Sequence, residues 1–460
     1  MKAQAAALSG FRDRFKGRLI DPDDPEYDQA RVVWNAMADR RPALIARCAG
    51  VDDVIAAVRF ARDQDLLIAV RGGGHSVAGL STCDGGIVID LSRMRDLTVD
   101  PKQRVAHAQG GAHLSQLDQQ AQAAGLVCPV GVIGHTGVAG LTLGGGMGRL
   151  QRKHGFTIDN LLSVDLVTAE GRPLHASSDD NADLFWGIRG AGANFGVVTS
   201  FELRLHPQEP TVMHGWVALP IERSREVGAL VRDFLATAPD HVFVNLSFGV
   251  ATDPPFPPQL AGKPIIVLGA MHTGSQADAE RELQPLRGGM DWSADTFTRK
   301  SYLAVQGMSD DAMSWGHRFY MKSGFVGELS DEVLAICAVE AADLPPGGDC
   351  SLSFWAMGGA ISRVPDDGSA FTGRTAGWWL SAEAMWDEPA HDGSHMEWAR
   401  RAMGALRPHT IVGEYVNDAV ESDAASVRAI YGNEKYDRLR ALKRTYDPDN
   451  VFRLNQNIRP

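Results

Sequence analysis

Three glycine clusters carry the first chemical signal in this sequence: Gly72-Gly73-Gly74, Gly144-Gly145-Gly146-x-Gly148 and Gly190-x-Gly192-x-x-x-Gly196. Lacking a Cβ, glycine lets backbone N–H groups close on phosphate oxygens and form anion-binding nests. One such cluster reads as a tight turn. Three in one stretch read as the cradle of a large phosphate-bearing ligand. A Rossmann unit would need Gly-x-Gly-x-x-Gly opening a helix directly after a strand, with an acid about 20 residues on. Gly190-x-Gly192 follows helical sequence with a different third spacing, and Gly144–Gly148 follows no strand-like run. No glycine loop runs into Lys-Ser or Lys-Thr, which removes a P-loop. Beside the first cluster stands His75. An imidazole with its ordinary pKa near ~6.5 is neutral and nucleophilic at neutral pH.

The elements that must hold these residues are legible in outline. Ile68-Ala69-Val70 predicts a strand running into the first glycine cluster, and Ile87–Leu91 a second after the Gly85-Gly86 turn. Residues 113–125 and Asn181–Arg189 read as helices, and 161–168 and Val197–Leu205 as strands. Beyond His206-Pro207 the composition changes. Strand-like runs at Val242–Val250, Ile265–Met271 and Ser351–Ile361 alternate with amphipathic helices at 223–236, 276–286 and 331–342. This region is rich in tryptophan and suits a sheet with helices on one face. The tail predicts a helix over Lys435–Arg444.

Composition limits the function classes. The chain has 460 residues, 44% of them apolar and 22% charged, and a formal net charge of −12. That length asks for two joined domains, and that balance for a globular fold. The acidic surface disfavours nucleic acid and anionic membranes as partners. Cys48, Cys83, Cys128, Cys337 and Cys350 are scattered with no Cys-x-x-Cys pair, so neither a disulfide framework nor a zinc site is expected. No apolar run is long enough to span a bilayer, and the first residues lack a secretory core, so a soluble cytoplasmic protein is expected.

Arg71-Gly-Gly-Gly-His75-Ser76, followed by Cys83-Asp-Gly-Gly-Ile-Val-Ile-Asp-Leu-Ser-Arg-Met94, resembles the flavinylation loop of the berberine-bridge-enzyme-like FAD oxidases, members of the vanillyl-alcohol-oxidase superfamily. The likeness continues through His135-Thr-Gly-Val-Ala-Gly-Leu-Thr-Leu-Gly-Gly-Gly-Met-Gly148, Lys153-His-Gly155, Asp159-Asn160 and Arg189-Gly-Ala-Gly-Ala-Asn-Phe-Gly-Val-Val198. It closes with Tyr415-Val-Asn417 and Tyr446-Asp-Pro-Asp-Asn-Val-Phe-Arg-Leu-Asn-Gln-Asn-Ile458, all in the family's order.

The resemblance implies an α+β fold. Residues 1–207 and 412–460 would form a PCMH-type FAD-binding domain of two α/β subdomains. Residues 208–411 would form a substrate domain, an antiparallel sheet backed by helices. It implies FAD attached covalently and singly, through a ring nitrogen of His75 to the flavin 8α-methyl carbon. The cofactor side would comprise Arg71, Gly72, Gly73, Gly74, His75, Ser76, Gly79, His135, Thr136, Gly137, Gly140, Leu141, Thr142, Gly145, Gly146, Gly148, Gly155, Asp159, Asn160, Gly196, Val197 and Val198. Tyr415 and Asn417, on a strand facing the ring, and Asn455, Gln456 and Asn457, folded back beside it, would complete that side.

In doubly linked relatives a cysteine joins flavin C6. Counting back from the glycine triplet, that position falls on Ile133, so Cys128 is expected to be an ordinary buried thiol. The position that gates dioxygen falls on Thr136, small enough to favour an oxidase. Tyr415, Asn417 and Asp418 are the catalytic candidates, Tyr415 being the base if a neighbouring cation or the flavin site lowers its pKa from ~10. Two departures fall on the substrate side: Asp418 stands where relatives commonly have an aromatic, and Gly373 where they often have a histidine before Arg374. The expected reaction takes hydride from a small substrate (alcohol, sugar, alkaloid or polyketide) to flavin N5, and dioxygen returns the flavin to its oxidised state, giving hydrogen peroxide. A dehydrogenase with another acceptor, and a flavin-binding protein without a base, are the alternatives.

Overall fold

The computed structural model describes residues 8–252 and 254–460. Its first sheet comprises β1 (Arg18–Ile20), β2 (Leu44–Arg47), β3 (Ile68–Arg71) and β4 (Ile87–Asp90), in the spatial order β1-β2-β4-β3. β2, β3 and β4 run parallel, with β1 antiparallel on the edge. Parallel strands covered on both faces read as continuous apolar runs, and β4 is buried throughout. Helix α1 (Val51–Asp63) makes the crossover from β2 to β3 and buries Val54, Ala57, Val58 and Ala61 against Ile87 and Ile89.

The second sheet is antiparallel: β5 (Leu97–Asp100), β6 (Val105–Gln109), β7 (Leu161–Val167), β8 (Pro173–Ser177) and β9 (Val197–Arg204), ordered β5-β6-β9-β7-β8. The longer helices of this part of the chain are α2 (Leu114–Ala123), α3 (Val138–Gly144) and α4 (Ala182–Ala191). Their core also takes in Val427, Ile430, Tyr431, Leu439 and Leu442 from a C-terminal helix, so the second sheet and the end of the chain share one apolar cluster.

The third sheet is the largest. Its long strands are β10 (Thr211–Pro220), β11 (Val242–Val250), β12 (Pro264–His272), β13 (Arg318–Val326), β14 (Gly348–Ala356) and β15 (Trp378–Trp386), with the short β16 (Thr410–Val412) on one edge. The order is β10-β12-β11-β14-β15-β13-β16, every pair antiparallel, and Ala294–Asp295 and Thr298–Ser301 pair onto β10. Strand side chains alternate between faces. Leu352, Phe354, Leu380, Ala382 and Ala384 pack under helices α5 (Ser224–Leu235), α6 (Gln276–Arg287), α7 (Asp331–Ala342) and α8 (Asp392–Leu406). Ser353, Trp355, Trp379 and Glu383 therefore face the other way, toward the glycine-rich half.

The structure corrects four local expectations. β14 stops at Ala356 rather than running to Ile361, because Gly358 and Gly359 take φ of 84° and 58° and Ala360–Arg363 is a helical turn. The C-terminal helix, α9 (Ala424–Tyr446), is far longer than Lys435–Arg444 and is interrupted at Gly432, φ 73°. α4 runs to Ala191 but kinks at Gly190, φ 129°, where a Cβ would lie 2.5 Å from Phe371 N. Tyr415 and Asn417 are not on a strand: β16 ends at Val412, and both residues sit in the loop and turn beyond it.

Candidate functional site

All three sheets contribute to one cavity of about 530 Å³, within the range of small-molecule sites. β3 delivers its end to one wall. Arg71 does not line that wall but anchors it: its guanidinium donates to Asp90 Oδ2 at 3.0 Å, both side chains being buried. Burial opposes the Asp90 charge, yet Arg71 and the Ser92 hydrogen bonds keep the carboxyl below its ordinary range. Beyond Arg71 the chain passes through Gly72, Gly73 and Gly74 to His75 and Ser76, all lining the cavity. A Cβ on Gly73 would lie 2.2 Å from Gly137 N, and one on Gly137 would lie 2.4 Å from Gly73 N. Two loops distant in sequence thus touch backbone to backbone, and only glycine permits it. The second loop brings Thr136 and Gly137, and helix α3 behind it Gly140 and Leu141, to the same wall.

His75 is held from two sides. Its ring stacks on Trp34 with centroids 4.7 Å apart, and its Nε2 pairs with His135 Nδ1 at 2.6 Å. Burial, assisted by His135 and His113, pushes its pKa down to about 3, so the ring is neutral at physiological pH. With Nε2 engaged, Nδ1 is the nitrogen left for chemistry.

Across the cavity lie Tyr415, Asn417 and Asp418. The Tyr415 phenol oxygen accepts from Gly146 N and from Asn417 Nδ2, each at 2.8 Å. Burial, and then Asp418, hold this phenol above its ordinary pKa against those two donors. Of the two ways the phenol could be lowered, a neighbouring cation is not among the groups that act on it, which leaves the flavin site. Asp418 Oδ2 accepts from Trp379 Nε1 at 3.1 Å, and burial raises its carboxyl well above the usual range. Glu383 lines the same chamber, and burial raises it too, while the Ser381 hydroxyl donates to it. Gly196, Val198, Asn455 and Gln456 also reach the wall. Asn455 Nδ2 donates to Ala193 O at 2.8 Å and Gln456 Nε2 to Ala419 O at 2.9 Å, which ties the C-terminal strap to the wall.

Several sequence candidates stay behind the wall. A Cβ on Gly144 would lie 2.0 Å from Asn417 Oδ1, and one on Gly145 would lie 2.9 Å from a Tyr415 ring carbon. That cluster makes room for the tyrosine and asparagine instead of forming an open nest. Gly146 and Gly148 close on Thr157 and on Val130 O. Gly79 and Gly155, with φ of 69° and 80°, are turn glycines. His135 contacts His75, while the Thr142 hydroxyl and Asn457 Oδ1 are buried without partners among the described residues. Asp159 pairs with Arg374 at 2.6 Å, Asn160 with His206 at 2.6 Å, and Val197 is a core residue of β9. Cys128 is fully buried off the cavity with its thiol raised by burial, whereas Ile133 lines the wall. Trp34, Phe319, Met321, Ser353, Trp355, Trp379, Glu383 and Arg149 also line it, and no sequence motif pointed to them. The alternation Trp379-x-Ser381-x-Glu383 was the available signal.

Known proteins match this architecture along its whole length. Residues 42–177 match the family model described as FAD binding domain, and 414–459 the one described as Berberine and berberine like. The chain is 33% identical to (R)-6-hydroxynicotine oxidase of Paenarthrobacter nicotinovorans over 459 residues, 97% of each protein. The chain belongs to the berberine-bridge-enzyme-like FAD-linked oxidases. A solved family member, 6-hydroxy-D-nicotine oxidase from Arthrobacter nicotinovorans, superposes with a TM-score of 0.87 at 31% identity, covering 97% of this chain and 98% of that one. At 22% identity and TM-score 0.87 the fold also matches glucooligosaccharide oxidase from Acremonium strictum, whose flavin is described as 6-S-cysteinyl, 8α-N1-histidyl FAD, with 99% of both chains covered. This berberine-bridge-enzyme-like chain is an FAD-binding oxidoreductase, and its cavity suits the cofactor. Cβ atoms at Gly72 and Gly73 would meet backbone, Ile68, Val70, Leu91 and Val198 offer flat apolar walls, and Asn455 Oδ1 is buried without a partner. Among the described residues no helix is long and apolar enough to cross a membrane.

Proposed function

We propose that this enzyme carries FAD on His75 and oxidises a small organic substrate with dioxygen as the electron acceptor. The carrying observation is the state of His75: a cavity-lining residue, neutral, stacked on Trp34 and paired through Nε2 with His135, with no hydrogen bond at Nδ1 among the described residues. That geometry supports an Nδ1 linkage to the flavin 8α carbon, with His135 as its positioning residue. When bound, FAD supplies a hydride acceptor at N5, and dioxygen restores its oxidised form with release of hydrogen peroxide.

The chain's own residues supply the rest. Tyr415 is the base for the substrate O–H or N–H proton, since a phenolate formed there meets the Gly146 and Asn417 donors. Asn417 fixes the phenol, and Asp418, whose carboxyl burial raises well above its usual range, acts with burial against a phenolate that the two donors must stabilise. Thr136 leaves room for dioxygen at the wall. Phe319, Met321, Trp355 and Trp379 exclude water from the substrate chamber. The FAD-binding part would comprise 1–207 and 412–460, and the substrate part 208–411.

Intact and peptide mass spectrometry after denaturation tests the linkage. FAD mass is expected on the His75 peptide of the wild type and to be absent from His75→Ala, while Cys128→Ala keeps it. Flavin on the Cys128 peptide, or none on any peptide, overturns the linkage.

A further inference from the structure

Arg149 reaches the cavity with no anion to meet it. It lines the wall with Gly131, Val132, Ile133, Ser309 and Met313. Among the described residues no carboxylate forms an ion pair with it, and its side chain makes a single long hydrogen bond, 3.5 Å to Gln306 Oε1. The other arginines bordering the site are matched, Arg71 by Asp90 at 3.0 Å and Arg374 by Asp159 at 2.6 Å. Asp118 and Asp310 are the acids whose charge Arg149 feels, and neither forms an ion pair with it: Asp310 Oδ1 accepts from Gly134 N at 2.6 Å, and Asp118 is a poor counter-ion. Burial holds that carboxyl up at about 7, Gln306 Nε2 donates to its Oδ2 at 3.3 Å, and its Oδ1 has no partner. Tyr302 Oη and His214 Nδ1, also within reach of the Arg149 charge, are buried without partners and offer no negative charge. Burial brings Arg149 itself down only to about 10, so it remains a cation at neutral pH.

A guanidinium presents five donors in a planar fork that fits a carboxylate two for two, and a cation withdrawn from water needs such a partner. Trp34, Phe319, Met321 and Trp355 give the chamber flat and apolar surfaces, and its own acids, Glu383 and Asp418, have carboxyls that burial raises. We propose that Arg149 is a specificity residue for substrates with a carboxylate on an aromatic or flat apolar body, the carboxylate docking bidentately at the Gly131–Ile133 wall. This rests on the reading that FAD fills the glycine-loop side of the cavity.

Benzoate and its neutral isostere benzamide are the probes, titrated into the holoenzyme and followed by the flavin spectrum and by thermal shift. Wild type is expected to bind benzoate at least about tenfold tighter than benzamide, a modest value for a desolvated charge pair. Arg149→Met should bind the two equally, and Arg149→Lys, which keeps the charge but loses the fork, should show a reduced preference. Equal binding of the two by wild type overturns the proposal. So does a wild-type preference in Arg149→Met or, should that variant not fold, in Arg149→Lys. If Arg149→Met loses flavin while keeping the preference, the arginine serves the cofactor and the proposal falls. Flavin content of the same samples reports separately on the cofactor reading, because the thermal shift measures anion preference with or without flavin.

Discussion

His75 must stay uncharged and immobile to serve as an attachment point, and Trp34 and His135 impose both conditions at once. Losing the His135 partner should therefore slow attachment without emptying the cavity. His135→Ala is expected to bind FAD that partly washes out on denaturation, measured as the ratio of covalent to total flavin. Tyr415 is fixed by two donors, so Tyr415→Phe preserves shape and removes the acidic proton. Flavin reduction in that variant should slow by about 10²–10⁴-fold in anaerobic stopped flow, with little change in substrate affinity. A third residue makes a pH-dependent prediction about stability. Asp118 titrates at about 7 in the fold, against an unfolded value near ~3.9. A raised acid contributes stability that is complete below the unfolded pKa and lost as pH rises through the folded one. Relative to Asp118→Asn, wild type should lose roughly 4 kcal/mol between about pH 4 and 7, because each pH step of one in that window costs about 1.36 kcal/mol. Parallel urea titrations across that range would check it.

At the level of elements, the site depends on two loops meeting where neither has a side chain. Gly73 and Gly137 lie so close that either Cβ would collide with the opposite backbone, and backbone cannot move aside as a flexible side chain can. Gly73→Ala is expected to lower FAD per chain severely. Gly50→Ala, at an extended glycine with nothing within 4 Å, should leave FAD content unchanged. Absorbance per chain of the two purified variants is the measurement, and equal flavin in both would refute the reading of the loop contact. The third sheet contributes by alternation. A one-residue slip of β15 would turn Trp379 and Glu383 into the helix layer and Leu380 and Ala382 into the chamber, so the apolar layer under α7 and α8 also fixes what faces the substrate.

The whole molecule is tied together at its end. Lys443 in α9 is fully buried, and its ammonium donates to Asp447 Oδ2 at 2.7 Å, Asn194 O at 2.7 Å and Phe452 O at 2.8 Å. Asp447 in turn accepts from Val451 N and Phe452 N at 2.7 and 2.9 Å. This pair positions the strap that carries Asn455 and Gln456 to the cavity. Removing one member strands a buried charge, so Lys443→Met should cost about 3–5 kcal/mol in denaturant unfolding and should also reduce flavin retention.

The sequence alone determined much of this protein because its motifs act locally. The strand-to-glycine-to-His75 run, the Tyr415-x-Asn417 spacing and the closing amide tail are each set by backbone freedom and side-chain chemistry within a few residues. The family, the α+β class and the FAD cofactor were legible from them. What the glycines are for was not. Gly72, Gly73 and Gly137 meet at the cavity, but Gly144 and Gly145 make space for Asn417 and Tyr415, some 270 residues away in the chain. Nothing near a glycine in sequence says which atom will come to lie against it. The substrate chamber was hidden for the same reason. Trp34, Arg149, Trp355 and Glu383 come from four distant segments, and each becomes a wall residue only when the third sheet closes over the glycine-rich half. Charge state followed from closure as well: burial set His75 neutral, raised Tyr415 and Asp418, and left Arg149 charged without an ion-pair partner among the described residues. Desolvation depends on every element packed around a group, and that quantity exists only in the tertiary structure.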